Sequence, residues 1–455
     1  MGRKEKKQNP DKIGAGRFLA WQSRGAAMGA QVMIIAFITL YCTNTMGMPA
    51  ALVGTLLMAS KIFDGVTDLF AGYLVDRTNT KIGRGRPYEL ALIGSWITVW
   101  LMFSIPEGAS MTMKAVWLFC MYTLNQSVFA TLLNANTTVY MVRAFHSEQQ
   151  YVKLNAFGGI IVTFISVAVN MILPFTVATM ATSAAGWSRM VAYFCIPLFL
   201  IGIMRFLFIK EESQVDVASG EKISLKEVLT VLKSNKYIYF VALLLFVYNM
   251  ISNMGVSMYY YTYIVGDLTL MSITGLFSVV VLISMVFYPM LLKKMTARQL
   301  IQRGCIIFAA GQLIMFFAGG NLGMIIAAGL IGGVGSLPIA YMNYQLILDC
   351  ASFNEWKGHA RMEGTMTSIT GFANKVGSAV GAGLLGILLS LSGFDGMQEM
   401  QPDSAIMMIR LLASLIPMAL YLVLAFVLKF YKLDEMMPQI RKDIESKNVE
   451  NTEAE

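Results

Sequence analysis

The residues best placed for chemistry lie inside one apolar run. In KIFDGVTDLF, Lys61, Asp64 and Asp68 follow one another at i, i+3 and i+7. At about 3.6 residues per turn this spacing puts an ammonium and two carboxylates on one helical face. The carboxylates then lie about 6 Å apart along the axis and repel by roughly 3 kcal/mol at an effective dielectric near 20, so one of them needs a counter-ion or a proton. Two readings are open. A Lys61–Asp64 ion pair could simply lock helices together. The second aspartate shifts the balance toward a cation or proton site, because ionisable residues within a membrane segment mark ion pathways by default. A cation that neutralises such a pair also changes which conformation is favoured, which is what coupling its gradient to a substrate requires.

The elements around this face are membrane spans. Of 455 residues, 56% are hydrophobic and 14% charged, with a strongly positive mean hydropathy, a balance that a soluble chain of this length could not keep off its surface. Runs long enough to cross about 30 Å of hydrocarbon are expected near 18–43, 49–75, 88–106, 113–140, 154–179, 187–209, 237–265, 269–292, 300–318, 322–347, 364–391 and 405–430. Lys and Arg concentrate on one alternating set of connectors, which places both termini on the cytoplasmic side. A polar connector follows the sixth span, and within it a surface helix is expected from Ser224 to about Lys233. The expected division is 1–209 for a first six-helix bundle, 210–236 for the linker, 237–430 for a second bundle and 431–455 for a cytoplasmic tail. The expected fold class is therefore all-α integral membrane, twelve transmembrane helices in two six-helix bundles, with a substrate site between the halves near mid-membrane, as in major-facilitator-type transporters.

Downstream of the charged face, GYLVDRTNTKIGRGRP carries Asp76, Arg77, Arg84 and Arg86 in the connector to the third span. It resembles the signature loop of the major facilitator superfamily, in which such residues latch cytoplasmic helix ends. Together with Asp64 and Asp68 it resembles the second helix and following loop of the glycoside-pentoside-hexuronide cation symporter family, the melibiose permease-like branch of that superfamily. A second stretch, LDCASFNEWKGHARMEGTMTSITGFANKVGSA, resembles the same family's connector between helices ten and eleven, with Asp349, Glu355, Arg361 and Glu363 in register and Lys375 where the family places a lysine in helix eleven.

The resemblance implies a sugar, glycoside or hexuronide bound between the halves and driven by sodium or a proton. It implies Asp64 and Asp68 as cation ligands with Asn134 and Thr138 as fourth-helix neighbours. Substrate contacts would come from Arg24, Met28, Asp64, Asn134, Lys375 and Tyr341. Asp76, Arg77, Arg84, Arg86, Asp349, Glu355, Arg361 and Glu363 would form gating ion pairs, or else ordinary solvated loops. The chain departs from the family at Met28, where a sugar-binding acid is expected, at Asn134, which replaces an acid, and at Asn155, which replaces an arginine. Loss of an acid favours a proton over sodium. Arg24 and Lys375, if both face the cavity, would suit an anionic ligand such as a uronide; Arg24 could equally sit at the cytoplasmic interface.

Other features are read more simply. Tyr259, Tyr260 and Tyr261 are expected mainly as an interfacial belt, and the glycines of GLIGGVGS and GSAVGAG as points of close helix packing. Five scattered cysteines indicate neither a disulfide framework nor a zinc site, and the two histidines lie in polar connectors. The net charge of +8 is spread over connectors, which suits membrane orientation rather than nucleic acid. The charged N-terminus runs into a full span, and no cleavable signal is expected. No nucleophile with a base, phosphate loop or metal cluster suggests an enzyme. The expectation is a monomeric, multi-pass symporter of the inner, cytoplasmic membrane, surrounded by lipid, without a cofactor beyond the coupling H+ or Na+. Two alternatives use the same fold: a carrier of an amphipathic or lipid-like solute, suggested by 34 methionines, and a membrane sensor that does not transport.

Overall fold

The computed structural model describes residues 13–78, 80–145, 148–211, 233–359 and 362–454. Arg361 and all but the last residue of the expected linker helix lie outside them, as do the side chains of Asp68, Asp76, Arg77, Thr138 and Asn155. Regular structure among the described residues is helical, apart from an isolated bridge between Thr80 and Gly83.

Each expected span corresponds to a helix or a short series of helices. The first six are α1 (Ala15–Ala36, extended by a π-helical turn at Tyr41–Thr45), α2 (Ala50–Arg77), α3 (Ala91–Met102, entered through a 3-10 turn at Arg86–Leu90), α4 (Met111–Thr123, a π-helical stretch Leu124–Ala130, then Thr131–Ala144), α5 (Glu148–Met180) and α6 (Ala184–Gly202, then Met204–Phe208). The later ones are α7 (Tyr237–Ser252, Val256–Tyr260, Tyr261–Val265), α8 (Leu270–Ile283, Ser284–Phe287, Tyr288–Leu292), α9 (Ala297–Ala318), α10 (Leu322–Trp356), α11 (Glu363–Leu391) and α12 (Asp403–Ala413, Leu415–Val427). Ten of the twelve are long and apolar enough to cross a membrane unaided. The other two are α2, which carries Lys61, Asp64 and Asp68 in its middle, and α3, which has only 12 residues beyond its 3-10 entry. α3 falls short on length, and α2 is a continuous helix of 28 residues.

The chain forms two compact units: residues up to Met48 with Ala59–Ala218, and Pro49–Met58 with Ser219–Glu455. In the first, Trp21 packs on Tyr140 and on Phe145, with ring centroids 5.4 and 5.2 Å apart. At the other end of α1, Tyr41, Phe103 and Trp187 form an aromatic cluster, with Phe103 and Trp187 stacked at 5.6 Å.

The second unit is built on close backbone approaches. A Cβ on Gly304 would lie 2.6 Å from the Gly335 carbonyl, and one on Gly311 2.5 Å from the Gly332 nitrogen, so α9 and α10 touch backbone to backbone. Cβ atoms on Gly377 and Gly381 would likewise collide with the Phe246 and Met250 carbonyls of α7. Small residues thus draw these helices together, which matters in lipid, where apolar burial gives little drive for helix association.

One sequence expectation changes. Tyr259, Tyr260 and Tyr261 are buried within the second unit instead of forming a belt: the Tyr260 hydroxyl donates to the Gly319 carbonyl at 2.8 Å, Tyr261 and Thr274 share a hydrogen bond of 2.6 Å, and the Tyr259 ring meets Phe394 edge to face. A phenol buried with its hydroxyl satisfied contributes a large apolar area without an unpaired polar atom. The tail after residue 431 contains a further helix, α13 (Leu433–Ala454), whose Leu433, Met437 and Ile440 are buried against the second unit.

Candidate functional site

Helix α2 brings its polar face against α4. The Thr131 hydroxyl donates to Asp64 Oδ1 at 2.8 Å, and Lys61 lies within electrostatic reach of the same carboxylate. One turn away, the Thr123 hydroxyl donates to Ser60 Oγ at 2.9 Å and the Ser127 hydroxyl approaches the Ser60 carbonyl at 3.4 Å. Ser60, Ser127 and Thr131 are all buried. The seam follows the π-helical part of α4, a wider turn of the kind often found at functional sites. Thr131 stands directly after this stretch, and its hydroxyl also lies 3.1 Å from the Gln126 carbonyl. A hydroxyl has one hydrogen. The carboxylate of α2 and the Gln126 carbonyl of α4 are therefore alternative acceptors for it.

Asn134 and Thr138 follow Thr131 at i+3 and i+7, on the same face. The Asn134 side chain is exposed. The sequence pointed to this helix and face but passed over Thr131. A hydroxyl three residues before Asn134 was the available signal.

Arg24 occupies a different setting. It is 5% exposed and donates through Nη1 to Glu89 Oε1 at 2.8 Å, the Leu133 carbonyl at 2.7 Å and Asn136 Oδ1 at 2.9 Å, and through Nη2 to Thr137 Oγ1 at 2.5 Å. Glu89, 1% exposed, is also approached by Arg205 Nη1 at 3.8 Å. Arg205 donates through Nε to the Trp21 carbonyl at 2.7 Å and lies 3.8 Å over the Trp21 ring. One carboxylate between two guanidiniums thus joins α1, α4 and α6 to the start of α3. Burial makes each member costly without the others. Met28, one turn beyond Arg24, is half-buried.

The signature loop is held by the same scaffold. Asn136 Nδ2 donates to the Gly85 carbonyl at 3.0 Å. The backbone N–H groups of Arg84, Gly85 and Arg86 all converge on the Glu211 carboxylate, at 2.9, 2.8 and 2.7 Å. Successive amides aimed at one anion form a nest. Gly83 takes φ 123°, a conformation that favours glycine, and a side chain there would run into the Glu211 carboxylate. Arg86 donates through Nε and Nη2 to the Phe206 carbonyl at 3.1 and 2.9 Å, capping the end of α6. Glu211 and Phe206 had no place in the sequence reading.

In the second unit, Lys375 is half-buried on α11. Its neighbour Asn374 accepts from Asn249 Nδ2 of α7 at 2.8 Å. Tyr341 is 39% exposed and packs edge to face on Tyr288 at 5.1 Å. Asp349 is buried, accepting from Gln345 Nε2 at 2.8 Å and pairing with Arg441 of α13 at 3.2 Å. Its ion-pair partner therefore comes from the tail. Glu355 is half-buried and Glu363 exposed.

A family model described as MFS/sugar transport protein matches residues 24–435. The chain is 27% identical over 428 residues to an isoprimeverose transporter of Lactiplantibacillus pentosus, covering 92% of this chain and 88% of that protein. It is 25% identical over 439 residues to a glucuronide carrier protein homolog of Escherichia coli, covering 92% of each. A crystal structure of a D-xylose-proton symporter superposes with a TM-score of 0.66 at 14% identity, covering 91% of this chain and 97% of that one, a likeness of fold. With the two bundles, the signature loop and a match over almost the whole chain, the protein belongs to the MFS/sugar transport protein family.

Proposed function

We propose that this protein is a cation-coupled symporter that carries a sugar, glycoside or hexuronide across the cytoplasmic membrane by alternating access, with both termini in the cytoplasm. It is a transporter and not an enzyme, as its family membership requires. The names of the relatives above, an isoprimeverose transporter and a glucuronide carrier homolog, support a glycoside or uronide as the substrate class. The excess of Lys and Arg on one set of connectors supports the orientation.

The observation that carries the coupling assignment is the contact between Asp64 and Thr131 at the end of the π-helical stretch of α4. An ionised Asp64 holds the Thr131 hydrogen. A proton or cation on the carboxylate weakens its demand for that hydrogen, which then passes to the Gln126 carbonyl 3.1 Å away. Occupancy of a carboxylate on α2 thereby changes a backbone contact inside α4, and a ligand acts on a conformational equilibrium only through such differential interactions. Asp68 follows Asp64 by four residues in the sequence of α2, the spacing of one helical face.

On the substrate side, Lys375 is the cation assigned to an anionic sugar. Arg24 is assigned to the scaffold, since four protein acceptors already take its hydrogens. Uptake by purified protein in liposomes, with neutral glycosides and uronides offered first under a proton gradient and then under a sodium gradient, tests the reading. Gradient-driven accumulation of a member of either class supports it. Equal, gradient-independent entry of every solute would overturn it.

A further inference from the structure

Three hydroxyls of α4 face α2: Thr123 and Ser127 meet Ser60, and Thr131 meets Asp64. They follow one another at intervals of four residues, which a regular α-helix does not keep on one line. Eight residues make about 2.2 turns and would carry Thr131 roughly 80° around the axis from Thr123. The π-helical stretch Leu124–Ala130 lies between the two and takes up one residue in its wider turn. The remainder, about seven residues, comes close to two α-helical turns, so Thr131 returns to the face that Thr123 begins. Whatever fixes the wide turn therefore fixes the meeting of Thr131 with Asp64.

The wide turn is held from its other side, by α3. Asn125, near its start, is fully buried, and an amide inside a membrane span must find partners there. Its Nδ2 lies 2.8 Å from the Ser95 carbonyl, 3.1 Å from Thr98 Oγ1 and 3.2 Å from Ser95 Oγ, and its Oδ1 accepts from Gln126 Nε2 at 3.1 Å. Gln31 of α1, buried as well, extends the chain by donating through Nε2 to Ser95 Oγ at 3.0 Å. Farther along the stretch, the Phe129 ring lies against Gly94 of α3, where a Cβ would come within 2.4 Å of it. Helix α3 thus grips the stretch near both ends, and Asn125 supplies the directional contact. Its bond to Gln126 also restrains the residue whose carbonyl is the second acceptor for Thr131.

We propose that Asn125 is a positioning residue for the cation site: anchored on Ser95 and Thr98, it holds the wide turn of α4 so that the Thr131 hydroxyl is presented to Asp64. It acts through Thr131. With the amide gone, the directional tie of the stretch to α3 is lost and α4 relaxes toward a regular α-helix, which turns Thr131 away from α2. Hydrogen bonds between membrane helices contribute modestly to their association, so the main effect of the amide falls on the register of α4 and not on the stability of the bundle. The inference rests on the reading of Asp64 as the coupling group.

The test needs no sugar. The thermal midpoint of the full-length protein in nanodiscs is titrated with sodium at constant ionic strength and, separately, with pH, because an ion that binds the folded state raises the midpoint. The part of the response that Asp64→Asn removes reports occupancy of the site. Asn125→Leu, of similar size but without the amide, is expected to shift the half-maximal cation concentration of that part about tenfold, as far as Thr131→Val does, the scale of one hydrogen bond to a charged group. The double variant Asn125→Leu/Thr131→Val should shift it no further than either change alone, since both remove the same contact. Shifts that add, or a lowered midpoint with the half-maximal concentration unmoved, would mark a side chain that only packs and would overturn the proposal. If Asn125→Leu does not fold, Ser95→Ala/Thr98→Val takes away two of the three acceptors around the amide and is expected to shift the same quantity in the same direction; a wild-type value there overturns the proposal equally. A cation response that survives Asp64→Asn intact removes Asp64 as the coupling group and the proposal with it, a result distinct from a failure at Asn125 alone.

Discussion

Asp64 on α2 and Thr131 on α4 meet through a 2.8 Å hydrogen bond whose donor has a second acceptor, the Gln126 carbonyl, at 3.1 Å. The bond joins a titratable group in the second span to the one irregular stretch of the fourth, so the state of the carboxylate and the local geometry of α4 are linked through a single hydrogen.

Removing that hydrogen weakens the link without touching the charge. Thr131→Val is expected to raise the cation concentration needed for half-maximal uptake by about tenfold, in line with roughly 1.5 kcal/mol for a hydrogen bond to a charged group, while Thr131→Ser stays near wild type. Uptake measured against cation concentration checks this. Equal behaviour of the valine and serine variants would remove Thr131 from the coupling site.

The Arg24–Glu89 pair is expected to act on stability first. Glu89→Leu leaves two buried guanidiniums without their shared carboxylate and should cost about 3–5 kcal/mol, read as a lowered thermal midpoint of the purified protein. Adding Arg24→Met to Glu89→Leu should recover part of the loss, because one uncompensated charge goes with it. A double variant less stable than Glu89→Leu alone would contradict the pairing.

The nest around Glu211 gives a sharper local test. Glu211→Ala leaves three backbone N–H groups of the signature loop without their acceptor, whereas Glu211→Gln keeps an oxygen there but loses the charge. Cleavage of the loop after Arg84 by trypsin is expected to speed up severalfold in the alanine variant and less in the glutamine variant. Unchanged cleavage in both would mean that the loop is held by other contacts.

The tail helix should contribute to the stability of the second unit. Truncation before Leu433 removes three buried apolar side chains, each contributing about 1.5–3 kcal/mol, together with the Arg441–Asp349 pair and the 2.8 Å bond from Trp356 Nε1 to Asp443. A clear fall in the thermal midpoint is expected. A truncated protein as stable as the full chain would show that α13 is a passive tail.

Much of this architecture was legible in the residues. The spans were visible because about twenty apolar residues are a strong, local signal, and the charged face of α2 stood out because three ionisable groups break such a run at helical spacing. The scaffold was not legible. Arg24 and Glu89 are 65 positions apart, and nothing in either neighbourhood names the other. Arg24 was accordingly read as a candidate for an anionic substrate or the membrane interface. The three tyrosines of α7 illustrate a second limit: a ring near a span's end suits a belt or a buried packing site equally well until its neighbours are known. Helix α13 was missed because its charged sequence resembles any soluble tail, and only Leu433, Met437 and Ile440, at i, i+4 and i+7, marked a face that could dock.

The most direct test of the account is Asp64→Asn in proteoliposomes, with accumulation against a gradient and exchange at equal concentrations measured on the same preparation. The account predicts that the variant loses gradient-driven accumulation while it continues to exchange internal for external substrate. Accumulation at the wild-type level by Asp64→Asn would contradict it.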